Sequence, residues 1–546
     1  MEAVSVSSVL RYFSPLRLMG PLSDKELRVA SRRCRNYALR AGYLLLLCLL
    51  MLSAWYSLVG LRRMGPATVW VSRAAEMSTY TTGTIVRFQF AAAQLVAAVM
   101  LCSSFSDDMR RGTLGTLLTT PIRSTQIIMG KLLGGLLQVV LLLGLSLPAL
   151  AILRVQGGVE WGFVVAASCI TLSAVVFAGA LSLWLSTYSR HAYKAISAGA
   201  VVYFIVFLIV PAIATALAWA GLLDRTATSY ILDLANPFRA LYRVMPQIGA
   251  MGGPPAPSLP WPMHCAVLGI ATALILCAAV RRVRRAAVGD YSIRIEKDFR
   301  PIERLHGSPL IWKDNPCAAF QWRWDNVAVG AAAVAICGVA MSVDVRRVPY
   351  LYIYLHYIAS GAWLLALLRL SIAVAGGITR EKESGAWPVL LMTPLDDRQI
   401  VRTKARGALR RNAVLLLSAF AVQMCLFFRT AGSLNVFYGA FSALSSAADV
   451  VCIVGAGSYF GVRLRTTTVA AAATLGTYLC LSYIVGGLVN AMFLRLVWPA
   501  MTSSRGPTSR IMLLGFAVSI GTVAVEFVLG RCLLRRACRS VRQYVF

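Results

Sequence analysis

Long apolar runs constrain this chain more than any other feature of its sequence. A helix of roughly 20 residues crosses a hydrocarbon layer of about 30 Å. Hydrophobic residues make up 58% of the 546 positions and charged residues only 14%, which is typical of a membrane protein. The runs are continuously apolar instead of alternating, which favours helices over barrel strands. The predicted spans are residues 42–61, 84–105, 132–153, 161–187, 195–219, 262–281, 327–343, 351–375, 412–428, 440–462, 469–489 and 511–530.

One segment of the sequence occurs twice, 273 positions apart, and this displacement is half of the chain length. The copies are residues 108–121 and 381–394, and each lies between two apolar runs. Eight of the 23 positions from Met109 to Lys131 are identical to their counterparts. This pattern indicates one membrane module that was duplicated and fused, with a helix-forming charged segment at the same place in each copy.

The predicted organisation follows from the runs and the repeat. The chain is expected to be an all-α polytopic membrane protein of about twelve transmembrane helices in two homologous six-helix modules. Ser23 and Glu26 form a capping box that starts an amphipathic helix on the membrane surface. The predicted segments are a cytoplasmic amphipathic N-terminus, a first module, a basic linker, a second module and a basic tail, at residues 1–41, 42–281, 282–326, 327–530 and 531–546.

The charge distribution predicts the topology and the partners. The formal net charge is +32, and Lys and Arg concentrate in alternate loops, as in cytoplasmic segments of membrane proteins. This distribution argues against nucleic-acid binding. The basic cluster at residues 281–285 directly follows an apolar run, where it can contact anionic headgroups of membrane lipids. Both termini are expected in the cytoplasm.

No residue pattern in the sequence indicates catalysis or metal binding. The thirteen cysteines are scattered without a Cys-x-x-Cys pair, and the four histidines are isolated. Gly130 and Lys131 are followed by leucine and lack the upstream glycine of a phosphate-binding loop. The chain is therefore predicted not to be an enzyme and to bind no cofactor. Any ATP and Mg²⁺ that its work needs must be bound by another chain.

Three ionisable residues within the spans are candidates for function, because charge inside a membrane is costly. They are Arg369, Asp449 and Glu526. Pairing of Arg369 with either carboxylate would lower the cost of burial. Such neutralisation and a direct role in substrate passage or gating both remain open.

The second copy of the repeated segment carries a family resemblance. Residues 380–385 (Arg-Glu-Lys-Glu-Ser-Gly) and 390–395 (Leu-Leu-Met-Thr-Pro-Leu), followed by Lys404, resemble the coupling segment of ABC exporter permeases of the ABC-2 class. The first copy is similar in its later part and departs in its acidic part, where Arg110 replaces the second glutamate. Residues 236–238 (Asn-Pro-Phe) resemble a segment common in that family.

The resemblance implies that each copy docks in a groove of an ABC ATPase subunit. Glu381 and Glu383 are expected to open the second coupling helix, where negative charge suits the helix dipole and can meet a basic partner surface. The apolar face is predicted at Leu114, Leu117 and Leu118 in one copy and at Trp387, Leu390 and Leu391 in the other. A helix that only anchors the loop is the alternative. The predicted coupling residues are Asp108, Gly112, Thr113, Leu117, Leu118, Pro121, Glu381, Glu383, Gly385, Leu390, Leu391 and Pro394.

The resemblance therefore predicts the permease of an ABC exporter in a bacterial inner membrane. Two ATPase subunits would supply the energy, and the transported substrate is unknown. An ion-coupled secondary transporter that uses Asp449 and Glu526 is one alternative. A membrane scaffold that docks proteins through its charged loops, without transport, is the other.

Overall fold

The computed structural model describes ten stretches of the chain. Every regular element in them is helical, which confirms the prediction of an all-α protein. The Ser23 capping box, the first coupling segment from Gly112 to Pro121 and most of the predicted linker lie outside the described residues. The described stretches are residues 34–61, 67–110, 122–155, 159–189, 192–245, 260–289, 330–338, 349–430, 435–496 and 509–543.

Eight helices are described before residue 290. Two short helices, α6 and α7, connect the fifth long helix to the last one. The helices are α1 (Cys34–Leu61), α2 (Ala67–Arg110), α3 (Ser124–Val155), α4 (Trp161–Ser186), α5 (Ala192–Trp219), α6 (Arg225–Ala235), α7 (Pro237–Val244) and α8 (Trp261–Gly289).

Seven helices are described after residue 329. A five-residue helix, α11, lies between two of the longest ones, and a short 3₁₀ turn at Val541–Gln543 follows the last. The helices are α9 (330–338), α10 (Pro349–Glu383), α11 (Trp387–Leu391), α12 (Asp397–Thr430), α13 (Asn435–Arg463), α14 (Thr467–Leu496) and α15 (Ser509–Ser540).

Among the described residues, eight helices are long and apolar enough to cross a membrane. They correspond to eight of the twelve predicted runs and confirm a multi-pass membrane protein. Helices α1 and α14 contain the shorter apolar stretches Arg40–Leu52 and Thr467–Ser482. The eight spans are Thr81–Ser106, Ser124–Val155, Trp161–Ser186, Ala192–Trp219, Trp261–Val283, Tyr354–Glu383, Asp397–Phe428 and Gly439–Arg463.

The chain divides into two compact units. The first comprises Met1–Gly199 with Tyr230–Glu296, and the second comprises Ala200–Ser229 with Lys297–Phe546. In the first unit, Leu101 of α2 is fully buried against α3 and α4. A Cβ added at Gly135 or Gly179 would lie 2.8 Å or 2.6 Å from its side chain. These two glycines therefore allow α3 and α4 to approach α2 closely.

The core of the second unit forms around α10 and α13. Helix α10 packs against α12, α13 and α14, and α13 also packs along α15. Leu367 and Leu370 of α10 are fully buried within this unit. This packing brings the ends of several helices together at the second copy of the repeated segment. The sequence predicts that these ends face the cytoplasm.

Candidate coupling site

The second copy of the repeated segment is a sharp break between two long helices. Helix α10 ends at Glu383, and Gly385 follows with a φ of +74°, a left-handed conformation that glycine adopts without steric cost. Helix α11 then begins at Trp387 with Pro388 in its first turn, where the missing N–H of proline costs nothing. It ends at Leu391, before Pro394.

Glu381 and Glu383 end a helix instead of opening one, so that part of the prediction is wrong. Both lie in the last turn of α10 because the chain reverses only at Gly385. A negative charge at a helix C-terminus is unfavourable unless a partner compensates it. Each of the two carboxylates has such a partner within the same unit.

Glu381 forms a buried ion pair with a lysine of α12. The Nζ of Lys404 donates a hydrogen bond to Oε1 of Glu381 at 3.0 Å, and the lysine side chain is 1% exposed. Because Lys404 is buried, Glu381 is needed to neutralise it. Glu381 is therefore occupied inside the protein and does not offer its charge to a partner surface.

Glu383 caps a different helix. Its Oε1 accepts a hydrogen bond from the backbone N–H of Thr467 at 2.7 Å, at the first residue of α14. A carboxylate at a helix N-terminus satisfies an unpaired donor and suits the helix dipole. Lys382, between the two glutamates, donates to the carbonyl oxygen of Val462 and lies 5.6 Å from the centre of the Trp387 ring. The acidic run therefore ties α10 to α13 and α14.

The two faces of α11 differ from the sequence prediction. Trp387 is 1% exposed and Leu390 is 8% exposed, so both predicted docking residues pack inward, and Leu391 is only partly buried. Val389 and Met392 are 66% and 85% exposed. The buried cluster around Trp387, here called the Trp387 cluster, consists of Ile378, Trp387, Leu390, Ile400, Val401, Val462, Ala537 and Val541.

The first copy contains the same ion pair at the equivalent positions. Asp108 lies in the last turn of α2, and Lys131, buried on α3, is 2.5 Å from its Oδ2. Lys131 also donates to the carbonyl oxygen of Ser104 at 3.0 Å. Adding 273 to 108 and 131 gives 381 and 404, the positions of the second pair. The repeat therefore conserves an acid at the end of one helix and its lysine on the next.

Residues 60–286 match the family model described as ABC-2 family transporter protein. This part of the chain, less than half of its length, is similar to the ABC-2 transporter family. The match includes the Asp108–Lys131 pair and the Asn-Pro-Phe segment, and it confirms the resemblance inferred from the sequence motifs. A comparison with curated proteins found no match.

The Asn-Pro-Phe segment of the matched region starts helix α7. The Oδ1 of Asn236 accepts a hydrogen bond from the N–H of Phe238 at 3.0 Å, which caps the helix, and Pro237 occupies its first position. The buried Asp233 pairs with Arg239 at 2.5 Å and with Arg243 at 3.0 Å. The segment therefore holds α6 and α7 in a fixed turn.

Two of the three predicted intramembrane ionisable residues of the chain lie together. Asp449 on α13 and Glu526 on α15 are both buried and form a hydrogen bond with each other. The indole Nε1 of Trp363 donates to Oδ2 of Asp449 at 3.0 Å, and Tyr478 also bonds to this carboxyl.

Arg369 does not take part in this arrangement as the sequence suggested. Its side chain is exposed on α10, whereas Trp363, two turns earlier on the same helix, contacts Asp449. Long arginine side chains can extend along apolar surface to keep their charge in a polar region. Trp363 and Tyr478 were not identified from the sequence, because nothing in their local pattern distinguishes them from core aromatics.

No group of three or more His, Cys, Asp or Glu side chains in the described stretches could hold a metal ion. The eleven cysteines described are free thiols.

Proposed function

We propose that this chain is the permease of an ABC exporter and that separate ATPase subunits drive it through the two coupling segments. The ABC-2 domain makes it a membrane component of a transporter. The observation that supports the coupling role is the exposed face of α11. Val389 and Met392 are large apolar side chains at i and i+3 that project away from the buried Trp387 cluster.

The exposure of Val389 and Met392 is better explained by binding in the groove of a soluble partner than by packing within this chain. Met392 is 85% exposed although Trp387, five residues earlier, is almost fully buried. A flexible thioether beside a branched aliphatic side chain is adaptable at a binding surface. Because the rigid side of α11 is fixed by Trp387 and Leu390, the other side is presented in one orientation.

Two copies of the segment imply two ATPase subunits. The Asp108–Lys131 and Glu381–Lys404 pairs occur at equivalent positions, so the same kind of ion pair joins the two helices that flank each copy of the segment in the sequence. Closure of two ATPase subunits around ATP would then move both segments. Export as the direction and a bacterial inner membrane as the location are part of this proposal.

The test compares single charge insertions at exposed apolar positions. Met392→Asp is expected to reduce co-purification of the ATPase subunits and to abolish ATP-dependent transport, because it places a charge in the apolar contact. Val155→Asp is the matched control, since Val155 is 88% exposed at the opposite end of α3 from the Lys131 pair. Both variants should reach the membrane in equal amounts.

Full ATPase association and transport in Met392→Asp would contradict the proposed docking face. Transport in sealed vesicles that runs on an ion gradient without ATP would support a secondary transporter instead. If the unmodified complex bound its ATPase subunits normally but transported nothing, this result would support the scaffold alternative.

A further inference from the structure

The ends of α13 and α15 enclose the second coupling segment. Val462 near the end of α13, Ala537 near the end of α15 and Val541 in the 3₁₀ turn that follows it are fully buried in the Trp387 cluster. Neither helix is adjacent to α11 in the chain. The largest buried side chain of the segment, Trp387, therefore packs against residues near the ends of two helices, Val462 and Ala537, which lie 75 and 150 residues later in the sequence.

A polar contact strengthens this enclosure at the surface. The Nε of Arg542, directly after α15, lies 3.0 Å from Oδ1 of Asp397 at the start of α12. The arginine is mostly exposed, so the pair contributes about 0–1 kcal/mol. It fixes the position of the chain after α15 more than it stabilises the fold.

Helices α13 and α15 cross with their backbones in contact. A Cβ added at Gly530 would lie 2.7 Å from the carbonyl oxygen of Val451, and one added at Gly455 would collide with the backbone of Gly530. Small residues at such crossings let membrane helices approach closely and pack without flexible side chains between them. The two helices are therefore held as a pair.

The same pair carries the intramembrane carboxyl groups. Asp449 lies on α13 and Glu526 on α15, and they meet a little beyond the glycine crossing. At 1.5 Å per residue, the helix from Asp449 to Val462 is about 20 Å long, and that from Glu526 to Ala537 about 17 Å. Both segments are continuous α-helix. A displacement at the Trp387 cluster can therefore be transmitted along these two helices to the carboxyl pair.

We infer that α13 and α15 act as one rigid pair that carries movement of the second coupling segment to Asp449 and Glu526. Trp387 is the positioning residue at the cytoplasmic end of this route. The inference rests on the proposed function, because the movement comes from the ATPase. It adds that the signal enters through helices packed on Trp387 and not only through α10 and α12, which are joined to α11 by the chain.

Cys452 provides a native reporter at the far end of the route. It is fully buried on α13, close to the carboxyl pair and to Gly530. The experiment uses the complex with its ATPase subunits, in a chain whose other cysteines are replaced by alanine or serine. The reaction rate of Cys452 with N-ethylmaleimide is measured with ADP and with a non-hydrolysable ATP analogue.

The rate is expected to differ between the two nucleotides in the parent chain. In complexes that still contain the ATPase subunits, Trp387→Ala should remove this difference. Trp387→Phe should restore the difference by refilling most of the space. Trp219→Ala, at a half-exposed tryptophan of α5, is the control and should leave it intact.

Val541→Ala provides a second test if Trp387→Ala does not fold, since it trims the same cluster at the end of the chain and should reduce the difference. An unchanged nucleotide response in both variants, or no response in the parent complex, would overturn the inference. Failure of the ATPase to co-purify with the parent chain would instead overturn the proposed function.

Discussion

Lys404 Nζ lies 3.0 Å from Glu381 Oε1, and Lys131 stands in the same relation to Asp108 at a distance of 2.5 Å. Each pair joins the last turn of one long helix to the early part of the next. The repeated segment, which is the proposed coupling segment, lies between the two helices in the sequence. The ion pairs therefore fix the distance between the helices on either side of that segment.

Loss of one partner of the second pair should destabilise the protein more than loss of both. Glu381→Gln leaves the ammonium group of Lys404 buried without a counter-charge, which costs about 3–5 kcal/mol. The double variant Glu381→Gln with Lys404→Gln removes the unpaired charge and should recover much of this loss. The measurement is thermal unfolding of the purified chain, followed by tryptophan fluorescence.

The first pair offers a comparison for this prediction. Asp108 is 27% exposed in its side chain, but Lys131 is 1% exposed, so Asp108→Asn should again be the damaging single change. Lys131→Gln leaves a carboxylate that water can reach, and its effect should be smaller. If Asp108→Asn and Lys131→Gln lowered the stability equally, the argument from the different exposure of the two side chains would be wrong.

Gly385→Ala should destabilise the second coupling segment through backbone strain alone. No atom lies within 4 Å of the added Cβ, but the φ of +74° costs an L-residue about 1–2 kcal/mol. Gly407→Ala is the matched control, because its Cβ also meets nothing and its position is inside helix α12. There alanine should stabilise by about 0.5–1 kcal/mol. Opposite shifts of the melting temperature are expected.

Asp449→Asn should be tolerated better than Asp449→Ala. Asparagine keeps an acceptor for the indole N–H of Trp363 and gains a donor for Glu526. Alanine leaves Trp363 and Glu526 without this partner, at a cost of about 1–3 kcal/mol for each buried group. Thermal unfolding and transport by both variants check the prediction. If the alanine variant were as stable as the asparagine variant, the hydrogen-bonded pair would not be part of the folded structure.

The stability of the start of helix α6 should depend on pH in the acid range because of Asp224. The pKa of its carboxyl is lowered from 3.8, first by the hydroxyl of Thr226 and then by the N–H groups of Ala227 and Thr226. Its stabilising contribution is therefore complete above pH 3.8 and is lost as the pH falls through the lower folded value. An NMR titration of the Ala227 amide should follow this change. Asp224→Asn keeps a side-chain oxygen that can cap the helix but does not titrate, so the pH-dependent change of the Ala227 amide should disappear.

The topology prediction can be tested at residues whose exposure the structure describes. Leu222, between α5 and α6, is 72% exposed, and Met392 is 85% exposed after α11. In a chain without its thirteen native cysteines, Leu222→Cys should react with an impermeant reagent in intact cells. Met392→Cys should react only after the membrane is opened. The reverse pattern would place the coupling segment outside.

The sequence predicted the second coupling segment well in position and poorly in orientation. The repeat located Glu381, Gly385 and Leu390 at a break between two spans, as the structure shows. It could not show that Trp387 turns inward, because α11 has only five residues and both of its faces are apolar. Which face is buried depends on Ala537 and Val541, which lie about 150 residues further along the chain.

The sequence by itself determined the class of protein and the two places where its halves correspond. Long apolar runs can satisfy their backbone in a membrane only as helices, and a displacement of 273 identifies Lys131 with Lys404 without any structure. Only the tertiary structure decided which partner each charge takes. Glu381 meets Lys404, Glu383 meets the start of α14, and Asp449 meets Glu526 instead of Arg369. Such pairings depend on how helices distant in sequence pack, and local periodicity carries no information about that packing.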